Sequence, residues 1–233
     1  MVKNFIGNLL ARLLRAALGR LASDIDLARS IKSVFSTVTF IDSKLMNSKI
    51  VSSRKEIMDV AFDNVVVEGF ICELGVYKGD SLNEIARYFS SSEIHGFDTF
   101  TGLPEFWREG FPEGAFDVAL EKLSFEKNCV LHKGLFDVTL PIFLEKVDGF
   151  ARLIHVDCDL YSSTATALEI LAPCINVGTV LIFDEYFNYP GWEMHEHKAF
   201  QEFLELHQFD CKYLAYNKLG EQVVVVITKE NLK

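Results

Sequence analysis

The chain has no Cys-x-x-Cys pair and no Cys/His cluster, and its cysteines are odd in number and widely spaced: Cys72, Cys129, Cys158, Cys174 and Cys211. This pattern argues against a disulfide framework and a zinc site, and leaves reduced core thiols in a cytoplasmic protein as the expectation. Basic charge is also scarce. Against 33 Asp and Glu stand 23 Lys and Arg, a net charge of −10, the wrong balance for a nucleic-acid groove. No apolar run is long enough to span a membrane, because Arg12 and Arg15 interrupt the one candidate near the start. The same interruption spoils a signal-peptide core. Gly-x-Ser-x-Gly, a Walker A loop and His-Glu-x-x-His are all missing.

What remains is a chain of 233 residues, enough for one sizeable α/β domain with an N-terminal extension. Phe5, Ile6, Leu9, Leu10, Leu13, Leu14, Ala17 and Leu18 share one face of a helix over residues 1–20, which carry four basic residues and no acid. Two readings are open for it: a helix packed on the domain or on a second subunit, or an interfacial membrane helix. Residues 21–50 are mixed and serine-rich. Ser53 and Glu56 form an S-x-x-E capping box that predicts a helix through Phe62.

From Gly69 onward, strand and helix patterns alternate. Strands are expected at 70–74, 94–97, 130–133, 153–157, 179–183, 212–216 and 222–228, and helices at 82–89, 116–123, 140–147, 163–171 and 198–206. Such alternation predicts an α/β fold, a Rossmann-like doubly wound sheet of seven strands, mostly parallel. The last two strands lie too close together for a parallel crossover, so a C-terminal antiparallel hairpin is implied.

In such a sheet a ligand sits beyond the carboxyl ends of the strands. Those ends carry Glu73 and Gly75, Asp98, Lys133 and Gly134, Asp157 and Asp159, and Asp184 and Glu185. One acid there is commonly a helix cap, but acids at most of the neighbouring ends suggest a site. The first turn reads Glu-x-Gly-x-x-x-Gly, which suits an ammonium-bearing nucleoside better than a pyrophosphate. Asp98 stands where an acid accepts hydrogen bonds from ribose hydroxyls. Asp157 and Asp184, with Asp159 or Glu185, have the chemistry to share a hard cation. His155, in an apolar strand, reads as a hydrogen-bonded core residue, and His195 and His197 as partly exposed. Residues 104–116, with Phe106, Trp107 and Phe111, read either as a lid over an acceptor or as a packed surface loop.

Five blocks in order carry a resemblance: Glu-Leu-Gly-Val-Tyr-Lys-Gly-Asp-Ser (73–81), Gly-Phe-Asp-Thr-Phe-Thr-Gly-Leu-Pro-Glu (96–105), Lys-Gly-Leu-Phe-Asp-Val-Thr-Leu-Pro (133–141), Asp-Cys-Asp-Leu-Tyr-Ser-Ser-Thr (157–164) and Phe-Asp-Glu-Tyr (183–186). Over about residues 50–209 the chain resembles the macrocin-type O-methyltransferases (TylF/MycF/NovP-type), class I enzymes that use S-adenosylmethionine to methylate hydroxyls of sugars, glycosides and other natural products. The resemblance implies a methyltransferase domain over 51–233 behind an N-terminal helical extension over 1–50. It implies that Glu73, Gly75, Tyr77, Gly79 and Ser81 surround the methionine part of the cofactor. Asp98 would hold the ribose, with Thr99 and Phe100 near the adenosine and Gly134 and Phe136 beside the adenine. Asp157, Asp184 and Glu185 match the family's magnesium ligands, and Asp157 its proposed base. The resemblance thus implies a magnesium ion that positions the acceptor hydroxyl beside Asp157. Glu185 stands where the family has Asp, and the tract 188–197 departs as well, so the sugar specificity does not carry over with the motifs.

The expected partner is a small hydroxylated acceptor, with peripheral membrane contact through residues 1–20 and homo-oligomerisation both open. Two rival readings stand beside methyl transfer: a nicotinamide-dependent oxidoreductase, and a catalytically silent methyltransferase-fold module that docks through its N-terminal helix. The absent third glycine and the terminal hairpin weigh against the oxidoreductase.

Overall fold

The computed structural model describes residues 2–230, and the side chains of residues 9–20 and 23–229. Phe5 and Ile6 of the expected apolar stripe therefore lie outside the described side chains. Two long helices come first, α1 (Val2–Ser23) and α2 (Ile25–Lys44), then β1 (Lys49–Val51) and α3 (Arg54–Asp63). The alternating body follows: β2 (Phe70–Leu74), α4 (Asp80–Tyr88), β3 (Ile94–Asp98), β4 (Cys129–Lys133), α5 (Phe136–Leu144), β5 (Ala151–Val156), α6 (Tyr161–Leu171), β6 (Val180–Phe183), α7 (Glu196–His207), β7 (Phe209–Asn217) and β8 (Val223–Glu230).

The strands form one sheet in the order β1-β7-β8-β6-β5-β2-β3-β4. All neighbours are parallel except β6 with β8 and β7 with β8. The seven expected strands and the hairpin are all present. The short β1 adds an eighth at the edge, pairing with β7. The chain leaves β2 toward β3 on one side and β5 toward β6 on the other, so the switch point of the sheet falls between β2 and β5.

Side chains alternate between two buried layers, as strand geometry requires. Ile71, Leu153, Ile182 and Val224 pack with Ile57, Met58, Leu82 and Ile85 of α3 and α4. Cys72, Ile154, Leu181 and Val225 face the opposite layer, with Leu140, Leu168 and Phe200 of α5, α6 and α7. Burying each such aliphatic side chain contributes about 1.5–3 kcal/mol. The five cysteines are free thiols, as expected.

One segment differs from the sequence expectation, and another gains detail. Within the N-terminal helical extension, residues 25–44 form α2, capped by Asp24, whose side chain accepts from the Leu27 N–H at 3.0 Å. Serine hydroxyls can compete for backbone groups and weaken a helix. Here Ser30, Ser33, Ser36 and Ser43 instead donate to carbonyls three or four residues back in the same helix. The expected helix over 116–123 is absent apart from one 3₁₀ turn at Leu120–Lys122. Phe116 has a left-handed φ of 68°, which α-helix cannot accommodate. The apolar residues Val118, Leu120 and Leu123 pack beside the α4 layer. The expected helix from Ser53 does form as α3, with the Ser53 hydroxyl accepting from the Glu56 N–H and the Glu56 carboxylate from the Ser52 N–H.

α2 docks through Ser36 and Thr37, which accept from the Trp192 indole N–H (2.9 Å) and the Asn188 N–H (3.0 Å). Beside this joint the His197 ring sits edge-on to Phe40, Tyr186 and Trp192, and neither of its nitrogens has a hydrogen-bond partner. Burial lowers its pKa to about 4. A histidine that is neutral when folded and titrates near 6.5 when unfolded contributes full stability above that higher value and loses it as pH falls toward the lower one. Urea midpoints should therefore show about 1–2 kcal/mol lost between neutrality and about pH 5, and His197→Phe should flatten that slope. An unchanged slope in the variant would remove His197 from the account.

Candidate active site

The backbone ladder runs on past the strands and brings their ends level. The Asp157 N–H donates to the Leu74 carbonyl at 2.9 Å and the Asp184 N–H to the Val156 carbonyl at 3.0 Å. Gly75, Asp157 and Asp184 thus lie side by side at the switch point. Gly75 has φ 93°, and any Cβ there would overlap the Asp157 carbonyl, so only glycine fits. Three non-glycine residues just beyond strand ends, Tyr77, Phe100 and Asp159, are also left-handed. Such conformations cost about 1–3 kcal/mol each and gather at functional sites.

Asp98 fastens the turn. Its Oδ2 accepts from the N–H groups of Val76 and Tyr77, both at 2.8 Å, and its Oδ1 from the Phe100 N–H at 2.6 Å. Beyond these ends opens a cavity of about 460 Å³, within the range of small-ligand sites. Of the residues singled out from sequence, Gly75, Tyr77, Gly79, Ser81, Asp98, Thr99, Gly134, Phe136, Asp157, Asp184 and Glu185 all line it. Two do not. Glu73 is fully buried beneath the floor, where its Oε1 meets His155 Nδ1 at 2.6 Å, because its strand position points it toward the α3–α4 layer. Phe100 is buried in that same layer.

The two ends of the segment 103–116 border the cavity. Leu103, Pro104 and Phe116 face the cavity. The Arg108 guanidinium lies over Trp107 (3.9 Å) and Tyr189 (4.4 Å) and pairs with Glu221 at 3.3 Å. Ser162 on α6 donates to Glu105. Stacking and ion pairing together hold the segment down.

Sequence reasoning missed Arg54 and Glu196. Arg54 is the first residue of α3, and its Nε donates to Asp184 Oδ1 and its Nη2 to Asp157 Oδ2, each at 2.8 Å. Glu196, at the start of α7, accepts from the Asp159 N–H and the Glu185 N–H, both at 3.3 Å, tying the two loops together. No local signal marks either residue, since both reach the site only through packing. His155, expected as a bonded core residue, is one. Its Nε2 stands 3.8 Å from Asp184 Oδ1.

Electrostatics separate the two central acids. Burial pushes Asp157 up to about 7, with Asp184 adding to the rise and His155 and Arg54 opposing it. For Asp184 burial again pushes upward, but the nearby His155 and the charge of Arg54 outweigh it and bring the group down to about 2. His155 is raised to about 10: burial opposes its charge, and Asp184 and Glu73 more than compensate. Asp159, Glu185 and Glu196 are raised by burial first and then by neighbouring carboxylates. The pair therefore combines a fixed anion, Asp184, with an acid poised to exchange a proton, Asp157.

The expected magnesium ligands do meet. Asp157, Asp184 and Glu185 each offer an oxygen within 4.8 Å of the others. Yet the facing oxygens of Asp157 and Asp184 are both taken by Arg54. A magnesium ion needs its ligand oxygens at about 2.0–2.1 Å, so it does not fit while the guanidinium bridges them.

Residues 72–186 match the family model described as a methyltransferase domain. The 8-demethyl-8-(2,3-dimethoxy-alpha-L-rhamnosyl)-tetracenomycin-C 4′-O-methyltransferase of Streptomyces olivaceus is 29% identical over 143 residues, which cover 52% of this chain and 54% of that protein. The chain thus spans about half the length of this curated relative. Among solved structures, the calicheamicin methyltransferase CalS11 superposes with a TM-score of 0.59 at 25% identity, covering 75% of this chain and 80% of that one. The O-methyltransferase NovP has the same fold, with a TM-score of 0.59 at 21% identity and the same coverages, 75% and 80%. With the switch-point cavity and the terminal hairpin already in place, the chain has the class I methyltransferase fold, and its residues 72–186 are similar to the methyltransferase-domain family.

Proposed function

We propose that the protein transfers a methyl group from S-adenosylmethionine to a hydroxyl of a small-molecule acceptor, a sugar, glycoside or other natural product. The observation that carries this is the single cavity uniting the glycine turn, Asp98 and the Asp157–Asp184 pair. The tetracenomycin relative, whose name specifies a 4′-O-methylation, supports the same class of acceptor. In this reading the turn from Gly75 to Ser81 cradles the methionine end, and Asp98 takes a ribose hydroxyl on the one lone pair its Oδ1 has left. Thr99, Gly134 and Phe136 border the nucleoside. Glu73 and Phe100 act from below by shaping the turn. The segment 104–116 excludes water, and the acceptor enters beside Asp157.

Methyl transfer needs an in-line oxygen more than covalent catalysis, so positioning dominates. Asp157 accepts the acceptor's hydroxyl proton as its oxygen bonds the methyl carbon, and the C–S electron pair stays on sulfur. A base with a pKa near the working pH is the effective choice.

Asp98→Ala removes a ribose partner and leaves the Val76 and Tyr77 N–H groups unpaired, so calorimetry should show S-adenosylmethionine binding weakened by about 1–3 kcal/mol. Unchanged affinity would move the nucleoside elsewhere. Asp157→Asn should keep that affinity and lower turnover by about 10²–10⁴-fold; near-normal turnover would exclude it as the base.

One observation favours a second reading, a binding module docked through its N-terminus: Leu9, Leu10, Leu13, Leu14 and Leu18 of α1 are all exposed. Among the described residues, no helix is long and apolar enough to cross a membrane. Deleting residues 1–23 should leave cofactor affinity and turnover intact if the 51–233 body is the catalytic unit. The same deletion should abolish sedimentation with anionic vesicles if α1 is interfacial, or lower the light-scattering mass if it joins subunits. Loss of turnover with the fold retained would favour a catalytic role for α1.

A further inference from the structure

The geometry points to Arg54 as the site's own cation, a guanidinium that holds Asp157 and Asp184 in the place where a divalent metal would otherwise hold them. The part of this inference that concerns the acceptor rests on the methyl-transfer reading above; the part that concerns the metal does not.

Three observations carry it. First, Arg54 bridges the two acids, with one N–H to each at 2.8 Å. Charge-assisted bonds of this length from a planar group are among the strongest side-chain contacts and set orientation as well as distance. Second, the bridge is built from the fold. Arg54 opens α3 directly after its Ser53 cap, and Ile57, Met58 and Ala61 of that helix are buried in the layer that also holds Ile182 and Val224. The guanidinium is therefore delivered by an anchored helix. Third, the second oxygen of Asp184 is engaged as well, since its Oδ2 accepts from the Gln222 amide at 3.4 Å.

The bridge also leaves donors over. Of the five N–H groups of a guanidinium, two are engaged by Asp157 and Asp184, and Arg54 lines the cavity with its side chain 39% exposed. The remaining N–H groups are available to the acceptor oxygen. Arginine does not give up its proton in proteins, so it cannot replace Asp157 as base. It orients the hydroxyl and offsets the negative charge that develops as Asp157 removes the proton, the service a metal gives elsewhere.

The test uses the full chain, with Mn²⁺ as probe and bound ion read by the loss of the free-ion paramagnetic resonance signal, with and without S-adenosylhomocysteine. The wild type should leave millimolar Mn²⁺ free, and its turnover should be unaffected by EDTA. Arg54→Ala, which exposes the paired carboxylates, should take up one Mn²⁺ at least about tenfold more tightly than the wild type. Adding Asp184→Asn to Arg54→Ala should abolish that gain, and Arg54→Lys, which restores the charge, should suppress it. A wild-type protein that binds one Mn²⁺ in an Asp184-dependent manner would overturn the proposal. So would a folded Arg54→Ala protein that binds no better than wild type. Should Arg54→Ala fail to fold, the wild-type titration and the Arg54→Lys comparison decide the question. S-adenosylhomocysteine affinity, measured by calorimetry on the same samples, stands apart from these outcomes: its absence would defeat the methyl-transfer reading and leave the metal result untouched.

Discussion

Asp157 and Asp184 end neighbouring parallel strands with their carboxylates facing, and the bridging Arg54 guanidinium makes that arrangement tenable. Two such charges a few ångströms apart repel by several kcal/mol at the dielectric typical of protein sites. Parallel register leaves no way to stagger them, because the ladder that aligns the strands also aligns their ends. The repulsion is met from two sides. Arg54 comes from the start of α3 across the cavity, and His155 comes from within β5, one strand position below. Much of the surrounding structure serves to hold those two cations: α3 is pinned by its capping box and buried face, and His155 by Glu73.

The result is an asymmetric pair. Asp184 has His155 beside it as well as Arg54 and stays ionised, whereas Asp157 is driven by burial and by Asp184 toward holding a proton. Asymmetry of this kind separates a fixed anion from a proton acceptor without any difference in residue type. The left-handed residues at the neighbouring turns, and the glycine whose Cβ would strike the Asp157 carbonyl, are the backbone cost of bringing strand ends so close. Beside the cavity, Arg108 stacks on Trp107 and Tyr189 and holds the segment 104–116 in place.

Much of the body was legible in the sequence. Short apolar runs ending in acids and glycines marked strands β2 to β6, because strands in the middle of such a sheet leave little room for any other composition. The five-residue gap between the last two strands was enough to imply the hairpin. Legibility failed where one local signal had two physical outcomes. The serines of α2 offered no landmark for the helix's bounds, and their hydroxyls fold back on the helix's own carbonyls. The apolar residues after Phe116 looked helical, yet the left-handed Phe116 breaks the helix and only one 3₁₀ turn follows.

At the site the division is sharper. The residues at the strand ends follow from the sequence alone, since a doubly wound sheet places every strand's carboxyl end on one edge. Their number and acidity therefore announced a cavity before any fold was in hand. What faces what was decided only in three dimensions. Strand alternation turned Glu73 under the floor, while Asp98 spent three lone pairs on the turn. Arg54 lies more than a hundred residues from Asp157 in the chain, in a helix whose local sequence speaks only of capping. It meets the acids because that helix packs across the strands that carry them. A contact between distant segments leaves no periodicity or spacing to read, so the charge that completes this site belongs to the tertiary structure.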